Sequence, residues 1–216
     1  DVRNRAAGIV RVGAPLVLAS SVLPALIREF LAERPKVNVR LSDVPVDRLV
    51  DVVEAGDVDL SVGPDRPHGP TVQHEVAFES PWVMWCAPTH ALAAHGSLRW
   101  GQLKEAHLVA AGRDHERSVA QMHMEVPEGE RILPVHVVDN ITTALGMAAE
   151  GLAVTLAPAY VSVMAEKFGL IMRRVTHPET IRQVCVYQSS TRSLPPAAEA
   201  FGEFLVARLG TLNPRL

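Results

Sequence analysis

The sequence predicts an α/β protein made of two lobes, and three observations carry that expectation. Between Gly8 and Gly63 the hydrophobic period switches between two and 3.6 in the order strand, helix, strand, helix, strand. A second alternation of strands and helices runs from about Glu79 to Arg174. A strand over Arg182–Tyr187 and a helix from Pro196 to about Leu209 then close the chain, so two chain crossings between lobes are expected. The lobes are expected at 1–78 with 180–216 and at 79–179, both Rossmann-like and joined by two crossover strands.

Each element has a local reason. Ile9–Gly13 (IVRVG) is a short apolar run ending in glycine. Ser20 and Ser21 are read as caps of a helix with Leu23, Leu26, Ile27, Phe30 and Leu31 on one stripe, stopped by Arg34 and Pro35. Val37–Leu41 alternates as a strand, Leu49, Val52 and Val53 mark a helix closed by Gly56, and Asp59–Gly63 is a third strand. Parallel strands joined by right-handed crossovers leave their open ends along one edge, where such sheets hold small ligands. A proline-rich loop, PDRPHGPTV, and a strand-like QHEVAF lead to the second lobe. There we expect a strand at Val83–Ala87, a short helix at Leu98–Leu103, a strand at His107–Ala111 and a helix at Arg117–Met124. A strand at Val135–Val138, a helix at Asn140–Glu150 ending with Gly151, and a buried strand at Ala153–Leu156 follow. Pro158 is read as opening a helix towards Phe168, followed by Leu170–Arg174.

Composition narrows the function. With 48% hydrophobic residues, the 216-residue chain has ample material for a core. Its 21 basic and 24 acidic residues leave a net charge of -3, and no stretch gathers Lys and Arg as a phosphate backbone requires. Nucleic-acid binding by this stretch is therefore not expected. Cys86 and Cys185 both lie in apolar runs, as reduced, packed thiols do. No apolar run reaches about 18 residues, and DVRNRAAG lacks the apolar centre of a secretion signal, so we expect a cytoplasmic protein with no membrane contact. The start at Asp1 suggests a piece whose upstream export signal or domain has been removed. None of the nine histidines pairs at HxxxH or HxH spacing, and no Gly-x-Ser-x-Gly elbow occurs. Neither a metal, a cofactor nor an enzymatic activity is expected.

Three passages resemble the effector-binding domain of the LysR-type transcriptional regulators. GIVRVGAPLVLASSVLPALIREFLAERPKVNVRLSD follows that family's Gly-ended strand, Leu-Pro helix, Phe, Pro and alternating strand. LVDVVEAGDVDLSVG is similar to its helix, Gly, acidic residue and Asp-Leu strand, and VVDNITTALGMAAEGLAVTLAPAYV to its helix, Gly, strand and Pro segment. PTHALA is similar to the family's His-Pro-Leu-Ala turn, with Ala91 in place of Pro. The resemblance implies a periplasmic-binding-protein-like fold that senses a small-molecule effector between its lobes. It also implies a homodimer, with Leu23–Leu31 of one copy near Asn140–Glu150 of the other, and a tetramer of the full-length regulator. Promoter DNA would be gripped by an N-terminal winged helix-turn-helix absent from this chain. The rival reading is a periplasmic solute-binding protein of a transport system.

The expected ligand contacts follow the strand ends. The loop over Ala14–Ser21, with Leu16, Val17 and Ser20, offers backbone N–H groups at a helix start. The resemblance implies hydroxyl residues at the positions held by Val17 and Val46, so a less polar effector, or one held by backbone groups, is expected. Ser20 and Ser21 are the nearest hydroxyls, and their first reading is as plain helix caps. Ala111, Gly112 and Arg113 match a position that faces the ligand in the family; Arg113 forks onto an acidic or polar head group, or else pairs with Asp114 or Glu116. Asp139 or Asn140 is expected to cap a helix whose first turn offers Thr142 and Thr143 to a ligand, and Pro158 completes the set.

Overall fold

The computed structural model describes residues 8–112, 119, 124 and 126–211. The chain divides into two units, one running to Glu79 and resuming at Gln183, the other spanning Ser80–Arg182.

In the first unit, alternating burial draws β1 (Gly8–Ala14) between β2 (Val37–Asp43) and β3 (Leu60–Pro64). All three run parallel, with Gly8 opposite Val37 and Val12 opposite Leu60. The first helical segment is two helices. A six-residue α1 (Leu16–Ser21) follows Pro15 directly, and α2 (Leu23–Glu33) starts after Val22 with Pro24 in its first turn. Ser20 and Ser21 are therefore not caps of α2. They close the preceding turn, where the Ser20 hydroxyl donates to the Leu16 carbonyl at 2.7 Å. Short α3 (Leu49–Glu54) ends through Gly56, whose φ of +76° lies in the left-handed region that glycine tolerates.

Two long strands, β4 (Val72–Cys86) and β10 (Ile181–Ser189), each hold residues of both units. They are hydrogen-bonded neighbours in the sheet, and β10 runs antiparallel to β3. The expected separate strands at QHEVAF and Val83–Ala87 are one element continuing through Pro81. The closing helix α6 (Pro196–Thr211) covers β1 and packs on α2 through an aromatic contact, Phe30 to Phe201, at 4.8 Å.

The second unit is built around the latter part of β4, whose WVMWC run is buried on both faces. Trp82, Met84 and Cys86 enter one cluster with Leu98, Trp100 and Leu103, and the alternate Val83 and Trp85 enter another with Leu145, Ala148 and Ala157. β8 (Thr155–Pro158) and β9 (Ile171–Thr176) flank β4 antiparallel, and β5 (Ser97–Arg99) lies parallel to β9. The expected helix at Leu98–Leu103 is this strand followed by a 3-10 turn over Trp100–Glu105. β6 (Val109–Ala111) pairs parallel with β7 (His136–Val138), and a parallel bridge from Leu108 to Val154 links β6 to the residues entering β8. α4 (Ile141–Ala149) follows β7. Pro158 does not open a long helix. It ends β8 and precedes a 3-10 turn (Ala159–Val161), four-residue α5 (Ser162–Ala165) and another 3-10 turn (Glu166–Phe168) that stops at Gly169, φ +72°. Most of the expected helix at Arg117–Met124 lies outside the described residues.

Candidate functional site

Each unit presents three parallel strands whose carboxyl ends bear loops, and the candidate residues lie at those ends. In the first unit the ends of β1 and β2 are knitted together, since the Val44 amide donates to the Ala14 carbonyl at 2.9 Å. Two glycines allow this closeness. A Cβ on Gly13 would stand 2.7 Å from Val44 Cγ2, and one on Gly63, in β3, would stand 2.4 Å from Leu49 Cδ1 and 3.3 Å from Pro15 Cδ.

Leu16, Val17 and Ser20 share α1. Leu16 is half-buried, Ser20 is exposed, and Val17 is packed into the core. Val46 begins a 3-10 turn after β2 and rests half-buried against a cluster that contains Val44, Leu49 and Val53. With α1 starting at Leu16, the open anion-holding loop expected over Ala14–Ser21 is reduced to one proline.

In the second unit, Ala111 ends β6 opposite Val138 of β7. Gly112 turns the chain at φ +75° with its Cβ direction 3.5 Å from the Asp139 carbonyl. Asn140 stands at the N-cap of α4 but makes no side-chain cap; its carbonyl instead accepts from the Thr143 amide at 3.1 Å. The exposed Asn140 side chain and half-buried Thr142 thus neighbour the Ala111–Gly112 turn. Pro158 is buried at the end of β8. Arg113, Asp114 and Glu116 lie outside the described residues.

One strand end was passed over by the sequence reading. After β3 the chain turns through Pro64–Thr71, and His68 Nε2 comes within 2.6 Å of His74 Nδ1 on β4. Both rings pack against Tyr187 of β10, whose hydroxyl donates to the Pro64 carbonyl at 2.6 Å. Burial raises the Tyr187 phenol well above its ordinary range. The histidines stand six positions apart, so no spacing rule signals the pair. A turn through Gly69 and Pro70 brings them together.

Residues 3–210 match the family of LysR substrate binding domains. The chain belongs to that family. The LysR-type domain is 27% identical to an uncharacterized HTH-type transcriptional regulator, YfeR of Shigella flexneri, over 89% of the chain and 62% of that protein. It is 23% identical to the transcriptional dual regulator GltC of Bacillus subtilis (strain 168), over 92% and 67%. The chain thus spans about two thirds of the length of these regulators. Among solved structures, the C-terminal domain of a probable LysR family transcriptional regulator from Rhodococcus sp. RHA1 superposes with a TM-score of 0.81 at 23% identity, covering 93% of this chain and all of that one. The effector binding domain of QuiR in complex with shikimate gives 0.81 at 14% identity, covering 95% and 98%. The BenM effector binding domain with benzoate gives 0.76 at 15%, covering 91% and 90%. The fold is accordingly the two-lobe, periplasmic-binding-protein-like α/β fold of LysR effector-binding domains, and the relatives are regulators rather than transport proteins.

Proposed function

We propose that this LysR-type effector-binding domain senses a small organic molecule through residues at and just after the carboxyl ends of its parallel strands. Leu16, Val17, Ser20 and Val46 serve in the first unit, and Ala111, Gly112, Arg113, Asn140, Thr142 and Pro158 in the second. Occupancy shifts the population of domain conformers, and that shift is passed in the cytoplasm to a DNA-reading domain outside this chain. The observation that carries the reading is the clustering of every described candidate at strand ends, the edge on which open α/β sheets bind ligands.

QuiR and BenM domains hold shikimate and benzoate, both ring carboxylates. Here Val17 and Val46 replace the hydroxyls that the family resemblance implies, so the effector is less polar or is gripped by backbone groups. A thermal-shift comparison of benzoate with its uncharged amide and methyl ester tests this. A ligand at about 100 times its dissociation constant adds roughly 2.7 kcal/mol, which for a domain of this size raises the melting temperature by roughly 5–11 °C. The neutral compounds should give the larger shift, and Leu16→Ser and Thr142→Val should each reduce it. Larger shifts with benzoate, unaltered by both substitutions, would remove the assignment.

The domain also pairs with a second copy through the exposed faces of α2 and α4, since Leu23, Leu26 and Phe30 are already spent on their own core. Sedimentation velocity should show a dimer, and a monomer at high concentration contradicts the pairing. Tetramer formation and promoter binding belong to the longer regulator. The chain itself is assigned no catalysis.

A further inference from the structure

The His68–His74 pair lies at the one parallel strand end of the first unit that carries no effector candidate, and its hydrogen bonds select the tautomers of the two neutral rings. A backbone carbonyl only accepts, so the 2.9 Å contact from His68 Nδ1 to the Gly69 carbonyl requires the proton on Nδ1. In the neutral ring, His68 Nε2 then presents its lone pair, and His74 Nδ1 donates to it. A carbonyl holding the outer N–H of an imidazole whose other nitrogen faces outward is the support that metal-bound histidines commonly have.

The pair is also held in place. The Asp65 amide donates to the Gln183 carbonyl at 2.8 Å, the Ser190 amide to the Thr71 carbonyl at 2.9 Å, and the Ser190 hydroxyl to the Pro70 carbonyl. Tyr187, anchored through its own hydroxyl, supplies the floor beneath both rings, with centroid distances of 6.3 Å and 5.9 Å. His74 is exposed and His68 half-buried, so solvent reaches the gap.

We propose that His68 and His74 form a seat for an exchangeable divalent transition-metal cation of the zinc class, bound through His68 Nε2 and His74 Nδ1. Zinc–imidazole bonds of about 2.0–2.1 Å in a tetrahedron place two ligand nitrogens about 3.4 Å apart, so the present contact opens by less than about 1 Å. Exposed His74 supplies that movement by a small side-chain rotation. The proton it now shares moves to its own Nε2, so both ligands stay neutral and the rings release no proton. Among the described residues, no third His, Cys, Asp or Glu completes a cluster. Water therefore fills the remaining positions, which makes the site exchangeable rather than structural. The seat is independent of the effector assignment above.

Titration calorimetry of the protein with zinc chloride at about pH 7.5 should show one saturable site. His68→Ala and His74→Ala should each weaken it at least tenfold, whereas His95→Ala, at an exposed histidine of the second unit, should leave it unchanged. His74→Gln keeps a polar group beside His68 and guards against loss of fold; it should also lose zinc while matching wild-type circular dichroism. Absence of saturable binding, or equal affinity in the histidine variants and the wild type, overturns the proposal.

Discussion

At the scale of single residues, Gly63 shows how tightly the strand ends of the first unit are drawn together. Its missing side chain is what lets Leu49 and Pro15 meet over β3. Gly63→Ala should cost about 1–3 kcal/mol in urea unfolding, because a buried leucine and a rigid proline ring must both shift. Cys185 offers a second test. Burial, and then the Asp65 carboxylate, push its thiol from 9.0 up to about 11. In the unfolded chain the thiol loses its proton first, so the contribution present below about pH 9 is lost as the pH rises towards 11. Urea midpoints between pH 8 and 11 should fall, and Cys185→Ala should flatten that slope. The native protein at pH 8 should leave this thiol unreacted towards disulfide reagents. Residue roles set by local chemistry were legible: both cysteines lie free and buried inside apolar runs. Roles set by chain return were not. Nothing local in HGPTVQH announces that its two histidines touch.

Elements were legible where hydrophobic period and punctuation agree. β1, β2, α3 and β3 follow the sequence reading within a few residues, because alternation fits a half-buried strand and Gly56 supplies the left-handed stop. The reading fails where a residue has two uses. Ser20 and Ser21 have the chemistry of caps yet close a turn, and Val22 divides two helices that one apolar stripe had joined. Pro81 marks a break in most strands, but here it sits inside the fifteen residues of β4. Pro158 suits a helix start and ends a strand instead. For the candidate site, strand ends were placed correctly, while the open loop expected after β1 was not. The helix α6 carries its own prediction. Phe201 is fully buried and meets Phe30 edge to face, whereas Phe204 is half-buried. Phe201→Ala should cost about 3–5 kcal/mol by chemical denaturation, and Phe204→Ala less.

At the scale of the molecule, both units own residues of β4 and β10, so neither can lose its core without disturbing strands the other uses. The three tryptophans, Trp82, Trp85 and Trp100, are all buried in the second unit, while Cys185 belongs to the first. In a Cys86→Ala variant, which removes the second unit's own thiol, indole fluorescence and exposure of the Cys185 thiol therefore report on different units. Their urea transitions should coincide, and a gap between the midpoints would show that the units melt separately. The same interleaving bears on how the protein is made. As the polypeptide leaves the ribosome, β1, β2 and β3 emerge early, yet the antiparallel neighbour of β3 and the helix that shelters β1 are translated only after Arg182. The segment that starts second in sequence is thus complete before the one that starts first, and the nascent sheet of the first unit waits with an open edge until the codons after Arg182 are read.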